Sequence, residues 1–326
     1  MKKRLLSLAV SALLLAALLA AVDARAVGRA LARVDIAWFA LAMALFIPQV
    51  LAIARRWALV AGPLAPIGGR EAGRQVLASS CLNLVLPSKL GDLAKGVFLH
   101  RQGRCTLGQG LHIVVYEKLM DLAALSALMW AGWVLAPRGE AWVLATLALG
   151  AAVIAVVVAV YHVPGAEGLP ARVLPARIAR HPKGKRVAEF LRAGPRTGAL
   201  VHAGRGRRAR IIAWSLGIWL LHLAQIACFF AAAGAGVGVL EILARMPIAI
   251  FAGLLPLTVA GVGTRDWAIV AIFGGPGTDA ATLAAVGLLV SLRYVVPALA
   301  GLPWIGGYLF LAKAARESIN LEENTS

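Results

Sequence analysis

Apolar residues run through this chain in long stretches, at 5–22, 37–54, 107–136, 141–161, 211–233 and 280–312, separated by charged or turn-forming residues. A helix rises ~1.5 Å per residue, so crossing a hydrocarbon layer ~30 Å thick takes about 20 mostly apolar residues. Each stretch therefore predicts a membrane-spanning helix. Two further segments, 74–101 and 244–275, are apolar over shorter runs and interrupted, the first for only about a dozen residues before Pro87. The first breaks at Pro87-Ser-Lys-Leu-Gly91-Asp92 and the second between Pro256 and Asp266. Halves this short cannot cross by themselves, so each segment is expected to enter and leave on one side. The expected fold is an all-α polytopic membrane protein. It has about six full spans and two broken re-entrant helical hairpins in an inverted-repeat arrangement. A single transmembrane domain covers 1–326, with 5–312 embedded.

Composition fixes the class. The chain has 326 residues, 60% hydrophobic and 15% charged, with a mean hydropathy of +0.81, well beyond the range of soluble domains. The basic start and apolar run of 1–22 fit a signal peptide or a retained first span, and a retained span is preferred. Arg55, Arg56 and Trp57 follow the second run and are expected at a cytoplasmic interface with an aromatic anchor.

Charge adds a topology. Lys and Arg number 33 against 15 Asp and Glu, a net +18. Twelve of the basic residues and two of the acidic ones fall between 162 and 210. Between apolar spans, such a loop reads as a cytoplasmic signal touching anionic lipid headgroups, not nucleic acid. Val187, Phe190 and Leu191 suggest an interfacial helix within it. N- and C-termini are then both cytoplasmic. The three cysteines and six histidines show no ligand spacing, so neither metal nor cofactor is expected.

The two interruptions carry the candidate chemistry. In "LVLPSKLGDLAKGV" and "GLLPLTVAGVGTRDWAIV" an apolar approach meets Leu-Pro, then glycine, then charge, then a renewed helix. Interrupted segments in corresponding places of two halves are the mark of inverted-repeat transporters. A helix end inside a membrane leaves backbone groups unpaired, which is tolerated only against protein or a wet cavity. Helices renewed after Gly91 and Gly263 would aim N–H groups and positive dipole ends at an anionic group. Pro87, Gly91, Pro256, Gly261 and Gly263 are expected to shape the breaks. Lys89, Lys95, Arg265, Arg293, Asn83 and Tyr294 are candidate substrate contacts. Asp92, Glu117, Asp121 and Asp266 would balance charge or couple transport to protons or cations. Glu117 and Asp121 lie four apart, on one helix face, and need facing cations. A plainer reading has Glu117 near the cytoplasmic end, paired with Lys118 or Arg104, and Arg265 with Asp266 in a static salt bridge. No catalytic residue is assigned.

The motifs "NLVLPSKLGDLAKG", "YEKLMDLAAL" and "PLTVAGVGTRDWAIV" resemble those of the lysylphosphatidylglycerol synthase transmembrane-region family, the flippase-like membrane proteins. The resemblance implies a lipid-handling protein of a bacterial or archaeal inner membrane. Members of the family often carry Arg-Glu where this chain has Arg265 and Asp266, and Arg where it has Lys89. Both differences keep charge and change reach or geometry. With 14 residues after Ala312, aminoacyl transfer is not expected. The expected function is movement of an anionic or zwitterionic lipid, phospholipid or polyprenyl-phosphate-linked, between leaflets. The alternatives are a membrane-embedded transferase acting on a lipid-linked substrate and an ion or small-molecule transporter.

Overall fold

The structure is a computed structural model. It describes residues 2–85, 91–135, 141–161, 200–201, 204–254, 258, 261–275 and 277–324. Pro87, Lys89, Pro256 and the expected interfacial helix around Val187 lie outside these residues. Among the described residues the regular elements are helices: α1 (Lys2–Ala21), α2 (Ala24–Ala32), α3 (Ile36–Ala44), α4 (Phe46–Ala61), α5 (Gly69–Val85), α6 (Leu93–Arg101), α7 (Leu107–Leu135), α8 (Ala141–Tyr161), α9 (Arg205–Ala232), α10 (Val239–Leu254), α11 (Thr264–Phe273) and α12 (Ala280–Asn324). Among the described residues, four stretches are long and apolar enough to cross a membrane: Ile36–Ala61, Leu107–Leu135, Arg205–Ala232 and Ala280–Gly307. A fifth arises if α1 and α2 count as one bent unit.

Local chemistry explains several boundaries. Pro48 has no N–H to offer the carbonyl four residues back, and the helix Ile36–Ala61 turns at Leu45 between α3 and α4. Asp35 caps α3 by accepting from the backbone N–H of Ala37 (2.8 Å) and Trp38 (3.1 Å). The expected second span ends earlier than the real helix, which runs on to Ala61. Arg56 and Trp57 are buried inside the protein, 1% and 0% exposed, and so do not face lipid headgroups as an exposed anchor would. Likewise α9 begins at Arg205, so the last four arginines of the expected basic loop form its first turns.

The helix ends sort into two groups. Ala61 at the end of α4, Ala72 near the start of α5, Leu99 near the end of α6, Ile113 of α7 and Ile211 of α9 share one buried cluster. Ala42, Phe229 of α9, Ile242 near the start of α10, Phe273 at the end of α11 and Leu283 of α12 share another. Thus α5 begins where α6 finishes, and α10 begins where α11 finishes. An arginine ties each pair. Arg104, just after α6, reaches Glu71 of α5 (3.3 Å) and the carbonyl of Pro66 (2.8 Å). Arg245 of α10 donates to the carbonyl of Ile272 near the end of α11 at 3.0 Å.

Long helices α7 and α12 run past both broken pairs. The first packs on α6 and α10, the second on α11 and α5. Lipid tails are as apolar as leucine, so such crossings rely on close backbone approach at small residues. Gly110 of α7 meets Gly96 of α6, and Gly132 meets the backbone of Leu243 and Ala244 on α10. On α12, Gly287 abuts Asp266 of α11 and Gly301 abuts Leu77 of α5. A side chain at any of these four α7 and α12 positions would overlap its neighbour.

Candidate functional site

Arg56, on α4, is the hub of a buried charge cluster. Its Nη2 donates to Glu117 at 3.1 Å, and its Nη1 donates to Asp121 at 2.5 Å and to Ser215 Oγ at 3.0 Å. Glu117 and Asp121 lie one turn apart on α7, as their spacing predicts, and Arg56 is one of the cations that hold them together. The second carboxylate oxygen of Glu117 pairs with Lys95 of α6. That ammonium also sits 4.5 Å from the centroid of the Trp57 ring, and Trp57 Nε1 donates to Gln75 at 2.7 Å. Lys118 bridges Asp92 (2.6 Å) and Asp121 (3.3 Å), and Asn83 Nδ2 donates to Asp92 at 3.1 Å. The turn of the first break presses Gly91 onto α5, where a Cβ would lie 2.5 Å from the backbone N of Asn83.

A cavity of about 140 Å³ lies against this cluster, between α4, α5, α9 and α12. Arg56, Asp92, Lys95, Lys118, Asp121 and Arg293 all line it. Asn83 and Tyr294 line it as well. Among the described residues, and counting Glu117 behind Lys95, four cations face three carboxylates, which leaves one positive charge unbalanced. Three of the cations have carboxylate partners. Arg293 has none among the described residues; its guanidinium lies 5.3 Å from the Tyr294 ring centroid, and its Nη1 is buried without a hydrogen-bond partner. Trp219 Nε1 and Arg56 Nε, from two other lining residues, are buried donors in the same condition. A buried donor without a partner costs ~1–3 kcal/mol, more when charged. The cavity thus presents unmet donors and surplus positive charge, a setting that suits an oxyanion.

The second break builds a separate cluster. Gly261 and Gly263 hold positive φ values of 76° and 93°, open to glycine and rare for other residues. Gly261 also packs on Gly253, where a Cβ would lie 2.9 Å from the Gly253 Cα. Asp266 reaches back to accept the Gly263 N–H at 2.9 Å, so the start of α11 is satisfied by its own carboxylate. Arg265 Nη2 donates to Asp266 (2.7 Å), Ser291 Oγ (2.7 Å) and the Gly287 carbonyl (3.2 Å). Both charged side chains are essentially inaccessible, 1% and 0% exposed, and neither lines the cavity. Tyr294 joins the clusters: Arg265 lies 5.6 Å from its ring centroid, on the residue next to Arg293.

The structure therefore gathers Asn83, Asp92, Lys95, Glu117, Asp121, Arg293 and Tyr294 around one site and sets Arg265 and Asp266 behind it. Sequence reasoning missed Arg56 and Trp219. Arg56 had a usable signal, since an arginine doublet inside an extendable helix puts one member on the inner face.

The class that emerges is a polytopic α-helical membrane protein with an ion-paired core and a small cavity lined by both charged and apolar side chains. The chain matches the Lysylphosphatidylglycerol synthase TM region over residues 4–301 and belongs to that family. No match was found among curated proteins.

Proposed function

We propose that this protein moves an anionic or zwitterionic lipid, bearing a phosphodiester or polyprenyl-phosphate headgroup, between the leaflets of a bacterial or archaeal inner membrane. One observation carries the reading: the cavity holds a net positive charge on Arg293, which no described carboxylate answers. Placing a charge inside a membrane costs ~2.5–3.5 kcal/mol on insertion scales. Arg293 offsets that cost only when an anion arrives. Its unmet N–H, with those of Trp219 and Arg56, would receive the phosphate oxygens. Asp92 and Asp121 would neutralise Lys118 and Arg56 while the lipid phosphate meets Arg293.

The contact pattern favours an inverted repeat. Exchanging α4, α5, α6 and α7 for α9, α10, α11 and α12 turns each principal pairing among these eight helices into one that exists. The pairing of α6 with α7 becomes α11 with α12, and that of α7 with α10 becomes α12 with α5. On the axis of such an exchange α4 would meet α9, and there Gln49 donates to Gln225 at 3.1 Å. Each broken pair starts and finishes at its own end of the bundle, as two re-entrant hairpins inserted from opposite sides would. The arginine-rich start of α9 favours a cytoplasmic location for that end, with both termini inside. The breaks would then gate the cavity from opposite faces.

A transferase reading has less support, because Asp92, Glu117 and Asp121 are each held by a cation and offer no free base. We therefore assign no enzymatic activity. A solute transporter would use the same cavity, and native mass spectrometry of co-purified lipids distinguishes the two. Retention of one anionic lipid by wild type and its loss from Arg293→Met and Lys89→Ala supports lipid cargo. Equal retention by all three proteins refutes it.

A further inference from the structure

A second basic surface lies at the end of the bundle opposite the start of α9. The axis of α2 turns 87° from that of α1. Asp23 sets the corner: its φ is 61°, and its carboxylate accepts the Arg25 N–H at 3.0 Å. If α1 crosses the membrane, α2 lies in its plane. The level is fixed by neighbours, since the Asp35 N–H, just beyond α2, donates to the carbonyl of Ala232 at the far end of α9 at 2.8 Å. One side of α2 is committed, with Val27 2% exposed and packed with Ala281, Ala284 and Ala285 of α12. The other side carries Arg25, Arg29 and Arg33, spaced four apart and all exposed. Arg29 makes only a loose contact with Asp23, at 3.9 Å between two exposed side chains. Immediately beyond, Ile36 and Trp38 are 74% and 45% exposed, so apolar surface begins within one turn of the arginine stripe.

We propose that α2 is an interfacial helix whose arginine stripe binds the headgroups of anionic phospholipids in the leaflet opposite the basic start of α9. An in-plane helix with a basic outer face, a packed inner face and bare apolar residues at its edge fits a lipid surface. A folded protein partner would have to avoid the hydrocarbon that Ile36 and Trp38 require. The inference stands apart from the cavity and does not depend on what passes through it.

The test uses the full chain in vesicles of phosphatidylcholine, with or without phosphatidylglycerol. A nitroxide is attached at Ala32→Cys in a Cys105→Ser background, and its depth is read from oxygen against nickel-chelate accessibility. Native mass spectrometry counts phosphatidylglycerol retained by wild type and by the combined Arg25→Gln, Arg29→Gln, Arg33→Gln variant. The label is expected at headgroup depth, and the variant should hold phosphatidylglycerol about fivefold more weakly per arginine lost, with added salt weakening the wild type. Unchanged melting on substitution separates this from misfolding. A label as accessible as in free solution, or equal phosphatidylglycerol retention by both proteins, overturns the proposal.

Discussion

Arg56 and Glu117 meet across α4 and α7 at 3.1 Å, with side chains 1% and 0% exposed. Neither charge has water to fall back on, so each is stable only because the other is present. The same guanidinium holds Asp121, and Glu117 also holds Lys95, so one deletion strands several charges.

Removing one member of this cluster should therefore destabilise the fold. Arg56→Ala or Glu117→Ala is expected to cost ~3–5 kcal/mol, the usual penalty for leaving an uncompensated buried charge. Replacing Arg56, Lys95, Glu117 and Asp121 together by apolar residues of similar size, which leaves Lys118 paired with Asp92, should cost less than either single change. Thermal unfolding of the purified protein in detergent measures both, and a double-mutant cycle isolates the coupling. A quadruple variant less stable than the worst single one counts against this account of the cluster.

Close helix crossings give a second expectation. Gly110→Ala would drive a Cβ into the backbone of Gly96, and Gly132→Ala would put one 2.5 Å from the Ala244 nitrogen. Overpacking of this kind costs ~1–3 kcal/mol. Gly217, on α9, faces open space: a Cβ there would meet nothing within 4 Å. Gly217→Ala should therefore gain ~0.4–1 kcal/mol from the unfolded chain's lost freedom. Melting temperatures should move in opposite directions.

Much of this architecture was legible because the bilayer imposes length. The span expected at 107–136 is α7, and the run 141–161 is α8, since unbroken apolar stretches leave the backbone one way to satisfy itself. The breaks were legible from Pro and Gly standing together with charged residues, since Pro247, Pro297 and Pro303 by themselves sit inside unbroken helices. Burial of Arg56 was not. Basic residues beside tryptophan ordinarily mark a helix end at an interface, and only Glu117 and Asp121, more than sixty positions away, reverse that reading. Nor was the corner at Asp23 visible, because its backbone turn depends on α2 packing against α12. The candidate site was partly legible through its charges. Which of two arginines stands free depends on where Asp266 turns, and sequence spacing does not carry that.

A pH dependence follows at the start of α12. Asp279 accepts hydrogen bonds from the Thr282 N–H (3.0 Å) and hydroxyl (2.8 Å), and these hold its carboxyl below the usual carboxylate range. A depressed pKa stabilises the folded state above the unfolded value of ~3.9 and loses that contribution as pH falls through the folded value. Asp279→Ala should cost ~0.5–2 kcal/mol at neutral pH, as for other helix caps. The gap between variant and wild type should be flat from neutral pH down to about 5 and close in more acid solution. Paired melts across that range check the sign; a gap that widens in acid contradicts it.

The sharpest contrast concerns Arg265 and Arg293. From sequence, Arg265 is the expected headgroup contact, and Arg265→Ala should stop transport without unfolding. Its geometry argues otherwise: it is bonded to Asp266, Ser291 and Gly287, and its loss would leave the Asp266 carboxylate buried without its cation. Arg265→Ala should therefore lower stability by ~3–5 kcal/mol and lose transport as a consequence. Arg293 has no carboxylate to strand. Arg293→Met removes a buried, unpaired charge, so the melting temperature should hold or rise while lipid movement in vesicles falls by at least tenfold. A fluorescent-lipid scrambling assay alongside unfolding curves separates the two. If Arg293→Met transports normally, the anion seat lies elsewhere. If Arg265→Ala keeps its stability and still fails to transport, the seat belongs at the second break, with Tyr294 as the side chain common to both sites.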